Sequence, residues 1–292
     1  NRDEEIFGHK PFWVIADHLT RNGIAVLRYD DRGVGASGGL ASGATTADLA
    51  IDARSAFDYL SKRGDIDQTR LGILGHSEGG LIAFMLAAEY KDISFIVSLA
   101  GPGVDGKTIL LEQSDYISRL SGVSESIRED NRIVMDKVYE LMTTNETHQT
   151  WGDEVIAFTS SYYSSKQRGQ YSEEDIERAK RNLLGSIPES SYAWMKYFVM
   201  SDPTPCFASI SCPVLALNGR KDCQVLAEQN INAIKSGLQS AGNKQVTTMI
   251  LPGLNHLFQT SKTGLPSEYN IIEETFSPNA LELISGWILG LE

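Results

Sequence analysis

The stretch from Leu71 to Phe84 constrains the fold of this chain more than any other. It reads LGILGHSEGGLIAF: a short apolar run, a turn with the pattern Gly-x-Ser-x-Gly, and a second apolar run. This order predicts a buried strand, a sharp turn that carries Ser77, and a helix, which is the context of a nucleophile elbow. Glycine is expected on both sides of Ser77, at Gly75 and Gly79, because strand and helix pack too closely there for a Cβ. Strained backbone then holds the Ser77 hydroxyl outward, beside the N-terminus of the helix.

Apolar strands and amphipathic helices alternate on both sides of this stretch. The further predicted strands are Ile24–Tyr29, Ser94–Ala100, Pro213–Gly219 and Gln245–Leu251. The further predicted helices are Lys10–Asn22, Ala47–Lys62, Leu226–Gln239 and a last helix with Ser277 as its N-cap and Pro278 at its first position. Such alternation predicts an α/β fold, with a mostly parallel sheet that is flanked by helices on both faces.

Between Pro102 and about Phe207 the strand signals disappear and helical patterns remain, one of which opens with a capping box at Ser172. We therefore predict a sheet-containing core formed by 1–103 and 206–292, interrupted by a helical cap at 104–205. Aromatic residues collect near the end of the cap. Trp194 and Phe198 among them are candidates for an apolar wall over Ser77, and packing between cap and core is the alternative interpretation.

Composition and charge restrict the class of protein. The chain is 41% hydrophobic and 22% charged, as is usual for a globular protein, and no apolar run approaches the length of about 18 residues that a membrane span needs. A formal net charge of −12 argues against nucleic acid as a partner, because binding phosphates requires a basic surface. The three cysteines fit neither a disulfide framework nor a zinc site, although a bridge between Cys206 and Cys212 stays open.

A serine becomes a nucleophile when a base takes its proton and a third group orients that base. Of the five histidines, His256 follows the last predicted strand, at the sheet edge where the elbow also lies and where ligands bind in open α/β sheets. Asp222 follows the preceding strand and reaches the same edge, so the predicted catalytic residues are Ser77, Asp222 and His256. Asp202 is the alternative acid, although it stands before a proline and not after a strand. His76 is excluded as the base because its side chain should point away from Ser77.

These motifs resemble the α/β-hydrolase superfamily and, within it, bacterial carboxylesterases of the serine-aminopeptidase-like hydrolase group, which is related to S33 and S9 peptidases. The similarity runs from the first loop to the final helix through five segments: Tyr29–Ser37, Gly75–Gly80, Leu217–Asp222, Leu251–Phe258 and Ile272–Pro278. The resemblance implies an α/β-hydrolase fold with an inserted helical cap. It is much more specific for the fold and the catalytic residues than for the substrate.

The resemblance also implies an oxyanion hole. One donor is the main-chain N–H of Glu78, and its side chain is expected to pair with a base such as Arg32. In the family the second donor comes from a glycine-rich loop that precedes a segment like Asn1–Glu4. We therefore expect that N-terminal strands and this loop are missing from the chain, and that the missing segment of the same protein could be a partner.

The leading hypothesis is a serine hydrolase that cleaves carboxylic esters of short to medium acyl groups through an acyl-enzyme, without metal or organic cofactor. A serine peptidase or aminopeptidase of the same fold is the alternative, and a binding module that has lost catalysis is a third interpretation. The expected partner is a small-molecule ester. The compartment stays open between the bacterial cytoplasm and an extracytoplasmic location.

Overall fold

The computed structural model describes residues 1–166 and 170–291. Its strands are β1 (Gly72–His76), β2 (Phe95–Leu99), β3 (Val214–Gly219) and β4 (Val246–Leu251). Its helices are α1 (Pro11–Arg21), α2 (Thr46–Ser61), α3 (Glu78–Glu89), α4 (Gly106–Leu120), α5 (Glu125–Thr144), α6 (His148–Ser164), α7 (Glu173–Ser186), α8 (Glu189–Met200), α9 (Thr204–Phe207), α10 (Ala227–Ser240) and α11 (Pro278–Leu289), with 3-10 turns at Gln68–Arg70 and Pro266–Glu268. None of the helices within the described ranges is both long enough and apolar enough to cross a bilayer.

The four strands form one parallel sheet in the order β1-β2-β3-β4. The carboxyl ends lie close in register: Leu99, the last residue of β2, lies opposite His76 of β1 and Leu217 of β3. β3 continues two residues further, to Gly219 opposite Leu251 of β4. Because all four strands run in the same direction, their carboxyl ends meet at one edge of the sheet. The loops that follow the strands are therefore brought together there.

Helices cover both faces of the sheet, as the sequence predicts. Ile96 and Ala216 point into one apolar cluster with α2, α3 and α10, whereas their neighbours Val97 and Leu217 point into the other with α1 and α11. This alternation follows from the two-residue repeat of a strand, and burial on both faces explains why the strand sequences are almost continuously apolar.

The predicted strand Ile24–Tyr29 is wrong. These residues form no regular secondary structure, and their side chains alternate between half-buried and exposed, with Leu27 and Tyr29 exposed to 36% and 39%. A strand needs a neighbouring strand to bond its N–H and C=O groups, and within the described ranges none pairs with this segment. The apolar pattern indicates an extended backbone but does not supply that neighbour.

Two predicted helix starts differ in how they are capped. The capping box of α7 is confirmed: Ser172 Oγ accepts the Asp175 N–H at 3.1 Å, and Asp175 Oδ2 accepts the Ser172 N–H at 3.0 Å. At α11, Ser277 precedes Pro278 as predicted, but its hydroxyl makes no capping hydrogen bond. Its N–H instead donates to Phe258 O at 2.8 Å, so Ser277 joins α11 to the loop after β4.

The chain divides into two compact units. The first consists of Asn1–Ala41, Thr46–Asp105 and Asp202–Glu292 and contains the whole sheet; the second consists of Ser42–Thr45 and Gly106–Ser201 and is helical. The role of the helical unit as a cap stays a prediction. The three cysteines all lie in the first unit as free thiols.

A buried carboxylate organises the helical unit. Asp130 of α5 accepts hydrogen bonds from the hydroxyls of Tyr162 (2.8 Å) and Tyr171 (2.6 Å), and Lys166 Nζ lies 2.5 Å from its Oδ1. Burial by itself would raise the pKa of Asp130, but the bonds from Lys166 and the two tyrosines outweigh it and hold the pKa below its ordinary value. A single charge thus joins α5, the end of α6 and the residues just before α7.

We expect Asp130→Asn to lower the free energy of unfolding by about 1–3 kcal/mol, because Lys166 loses its counter-charge and one of the two acceptor oxygens becomes an NH2 donor. Since the folded-state pKa is lowered, the stabilisation is complete above the ordinary carboxyl pKa of about 4 and is lost as pH falls through the lowered value. Urea unfolding at pH 7 and at several values below about pH 4 measures both effects. The exposed neighbour Glu129→Gln is the control, and equal stability of the two variants at pH 7 would contradict the assignment.

Candidate active site

Ser77 stands alone between β1 and α3 in a strained conformation. Its φ of +52° and ψ of −120° lie in a region of backbone conformation that residues other than glycine rarely adopt. Two hydrogen bonds hold the turn: the Ser77 N–H donates to Leu99 O at 2.8 Å, and the Gly80 N–H donates to Ser77 O at 2.9 Å. The turn is thus anchored to the neighbouring strand on one side and to the first turn of α3 on the other.

Of the two glycines that the motif predicts, the turn requires Gly75 but not Gly79, and it requires Gly80 in addition. A Cβ on Gly75 would lie 1.9 Å from Gly79 O, and a Cβ on Gly80 would lie 2.7 Å from the Cα of Gly101. A Cβ on Gly79 would meet nothing within 4 Å. The prediction of a steric need at Gly79 is therefore wrong, because at that position the main-chain oxygen, not the Cβ direction, faces the strand.

Asp222 lies fully buried in the loop after β3, and its carboxylate oxygens have separate tasks. Oδ1 accepts the main-chain N–H groups of Gln224 (2.8 Å) and Val225 (2.9 Å), which fixes the carboxylate to its own loop. Oδ2 lies 2.8 Å from His256 Nδ1. A carboxylate held in this way orients the imidazole and selects the tautomer with its proton on Nδ1.

His256 lies in the turn after β4, which is tied closely to the Asp222 loop. The Lys221 N–H donates to Leu254 O at 2.9 Å, and a Cβ on Gly219 would lie 2.3 Å from the same oxygen. On the other side of the histidine, the buried side chain of Asn255 bonds Gln259 through its amide at 2.9 Å. These contacts tie the loops after β3 and β4 to each other.

The structure brings Asp222 and His256 together, and the elbow contacts His256 through His76, the residue before Ser77. The rings of His76 and His256 are 4.7 Å apart, so the elbow and the base loop are in direct contact. The Ser77 hydroxyl and the His256 ring, both in the described part of the chain, share no hydrogen bond. Such a bond is commonly long or poorly aligned without substrate and shortens when substrate binds.

His76 contributes more to this region than its place in the motif indicates. Its side chain is buried; Nε2 lies 2.9 Å from His256 O, and Nδ1 lies 3.1 Å from Glu4 Oε1. Burial alone would lower the pKa of His76, but the Glu4 carboxylate and the His256 carbonyl outweigh it and raise the pKa. No sequence signal pointed to this pair, because Glu4 is 72 residues away and the x positions of the motif follow no pattern.

The alternative acid Asp202 stands elsewhere, and so does Glu228 in the first turn of α10. Asp202 is exposed, and its carboxylate accepts the N–H and the hydroxyl of Thr204, the first residue of α9. Glu228 is also exposed and pairs with Arg220 at 2.6 Å. Neither carboxylate bonds the ring of His256, whose Nδ1 faces Asp222.

The predicted pair between Glu78 and Arg32 is wrong. Glu78 Oε1 accepts the hydroxyl of Thr46 at 2.6 Å, whereas Arg32 Nε donates to Asp52 Oδ2 at 2.7 Å and its Nη2 donates to Asp48 O at 2.7 Å. The partners Thr46, Asp48 and Asp52 all lie on α2, which packs against α3. Helix α2 thus offers Thr46 to Glu78 and its two aspartates to Arg32. Glu78 is the first residue of α3, so its main-chain N–H lies at the positive end of that helix dipole.

The two aromatic candidates lie in the helical unit. Trp194 and Phe198 of α8 stack with ring centroids 5.8 Å apart, and Phe198 is buried. Their role in substrate binding stays a prediction. Within the described ranges, no group of three or more His, Cys, Asp or Glu residues is arranged to hold a metal ion.

Comparison with known proteins places this geometry in a family. The sequence model described as serine aminopeptidase, S33, matches residues 12–261. The chain belongs to this family of α/β hydrolases. The parallel sheet with helices on both faces and the elbow at Ser77 agree with that assignment.

Relatives of this α/β hydrolase cover most of its length at low identity. An uncharacterized 31.7 kDa protein in the traX-finO intergenic region of Escherichia coli is 23% identical over 93% of this chain and 82% of its own. Esterase EstD from Thermotoga maritima is 24% identical over 91% of this chain and 54% of its own. The ferulic acid complex of Est1E from Butyrivibrio proteoclasticus has a TM-score of 0.51 at 16% identity, over 99% of this chain and 82% of that one. The structural likeness shows the fold.

We expect Gly75→Ala and Gly79→Ala to have opposite effects on the stability of the hydrolase. The first inserts a methyl group against main-chain oxygen and should cost about 1–3 kcal/mol or more. The second enters open space in the first turn of α3, where alanine is favoured over glycine by up to about 1 kcal/mol. Thermal unfolding of both variants measures the difference, and a lower Tm for Gly79→Ala than for Gly75→Ala would contradict the packing described above.

Proposed function

We propose that the protein is a serine carboxylesterase that cleaves esters of short to medium acyl groups through an acyl-enzyme. The observation that carries the proposal is the bond of 2.8 Å between the buried Asp222 carboxylate and His256 Nδ1, in a loop that contacts the elbow. A buried carboxylate on one imidazole nitrogen leaves the other nitrogen free to act as a base toward a serine. Ser77, on strained backbone at the end of β1, is the nucleophile in this proposal.

The reaction has two steps. In the first, Ser77 Oγ forms a bond to the ester carbonyl carbon while His256 Nε2 takes the hydroxyl proton, and Asp222 stabilises the imidazolium. The Glu78 N–H, at the positive end of α3, is the proposed donor to the oxyanion. The carbon–oxygen bond to the alcohol then breaks, and His256 returns the proton to the departing alcohol. In the second step, water attacks the acyl-enzyme by the same route and releases the acid and Ser77.

The choice of esters over peptides rests on relatives and not on the catalytic residues, which serve both reactions. Esterase EstD is similar over 91% of this chain, and this similarity supports esters as the substrate class. The family description, serine aminopeptidase, keeps peptides as the second candidate class. The two classes differ in the leaving group, so substrates that differ only there separate them.

Two measurements test the proposal. A fluorophosphonate probe should label the wild type at Ser77 and leave Ser77→Ala unlabelled, because only an activated serine reacts. Nitrophenyl esters of acetate and butyrate should then be hydrolysed faster than aminoacyl nitroanilides. Absence of labelling overturns the serine hydrolase, and faster turnover of the anilides replaces the esterase by a peptidase.

Asp222→Asn and Asp202→Asn form a matched pair that tests the acid. We expect Asp222→Asn to fold and to lose about 10⁴-fold in kcat, because asparagine favours the wrong imidazole tautomer. Asp202→Asn removes an exposed carboxylate that bonds Thr204 and not His256, so ester turnover should stay close to that of the wild type. The reverse ranking of the two variants would move the acid to Asp202.

A further inference from the structure

His76 joins the N-terminal segment of the chain to the main chain of His256. Its two ring nitrogens contact different parts of the molecule: Nε2 faces His256 O at 2.9 Å and Nδ1 faces Glu4 Oε1 at 3.1 Å. The ring packs edge-on against Phe12 and Phe258 and lies 4.7 Å from the His256 ring. These hydrogen bonds and ring contacts together restrain the orientation of the His76 imidazole.

Both bonds require a proton. A carbonyl oxygen only accepts, so Nε2 of His76 must carry hydrogen to bond His256 O. A second proton must then lie between Nδ1 and Glu4 Oε1, since otherwise two lone pairs would face each other. The raised pKa of His76 agrees with retention of that proton, and the pair with Glu4 has no net charge. The other ionisable groups that face His76 are His256 and, at longer range, Asp222.

Glu4 is held in place at a conformational cost. Its φ of +50° lies in the left-handed region, which a side chain like glutamate seldom adopts outside constrained sites. Its second carboxylate oxygen is buried and makes no hydrogen bond within the described ranges. His76 is the one ion-pair partner that Glu4 has in the same ranges. The local conformation thus serves the contact with His76.

We propose that Glu4 and His76 form a positioning pair, which holds the main chain of His256 so that its imidazole stays aligned between Asp222 and Ser77. The inference rests on the proposed function. Asp222 restrains the rotation of the His256 ring, but it does not restrain the backbone that carries the ring. The bond from His76 Nε2 to His256 O supplies that second restraint, and Glu4 keeps the donor protonated and directed.

Variants of His76 that lose or keep the donor to His256 O test the proposal. His76→Leu removes the donor to His256 O, and we expect kcat for a nitrophenyl ester to fall about 10- to 100-fold, the effect of a small misplacement of a catalytic group. KM should change less than about twofold, since His76 contacts no substrate in this scheme. His76→Gln keeps an amide N–H at a similar reach and should recover most of the lost kcat. A variant that merely loosened the fold would move Tm without this rescue.

A substitution of Glu4 tests the pair independently, because it leaves the sequence of the elbow unchanged. Glu4→Ala should lower kcat by about 3- to 10-fold, because the donor is less well directed. In the double variant with His76→Leu it should have no further effect, since Glu4 acts through His76. Additive losses of kcat in the double variant would overturn the coupling.

The outcomes separate this inference from the proposed function. A wild type that neither hydrolyses esters nor labels at Ser77 overturns the function. An active wild type with His76→Leu within twofold of its kcat, or with His76→Gln as impaired as His76→Leu, overturns the positioning pair alone. If His76→Leu does not fold, Glu4→Ala decides: a reduced kcat at unchanged KM and Tm supports the pair, and an unchanged kcat overturns it.

Discussion

The close approach of main chain to main chain where α3 follows β1 is the constraint on which the rest of the site depends. Gly75 faces the carbonyl of Gly79, and Gly80 faces the Cα of Gly101, at distances that exclude any Cβ. The helix consequently begins directly at the carboxyl edge of the sheet, and the backbone of Ser77 has to turn through a conformation that costs on the order of 1–3 kcal/mol. The burial of α3 in the apolar cluster on that face of the sheet offsets this conformational cost.

Two buried carboxylates illustrate how the chain stabilises charge away from water. Asp222 bonds main-chain N–H groups of its own loop and keeps one oxygen for His256. Asp130 bonds side chains that come from several segments. In a medium of low polarity each such bond is strong and its loss is costly. The bonds of Asp222 hold its carboxylate in place for the His256 ring, whereas the bonds of Asp130 join α5 to α6 and to the residues just before α7.

Local patterns and topology together predicted a large part of this structure. The strand, turn and helix around Ser77 and the pairing of Asp222 with His256 could be predicted, because side-chain periodicity defines the elements and parallel strands bring their following loops to one edge. Ile24–Tyr29 could not, since a strand exists only beside another strand. The bond between Glu4 and His76 joins residues far apart in sequence at positions without periodicity, so only the folded backbone reveals it.

The open space beside Gly79 has a consequence for how elbows are found in sequences. The pentapeptide pattern demands glycine at this position, yet the backbone here demands it at Gly75 and at Gly80, one residue later. Chains with alanine or serine in place of Gly79 can build the same turn and escape a search for Gly-x-Ser-x-Gly. A pattern with glycine two residues before and three residues after the serine describes the steric requirement of this turn more faithfully, and it would also match such chains.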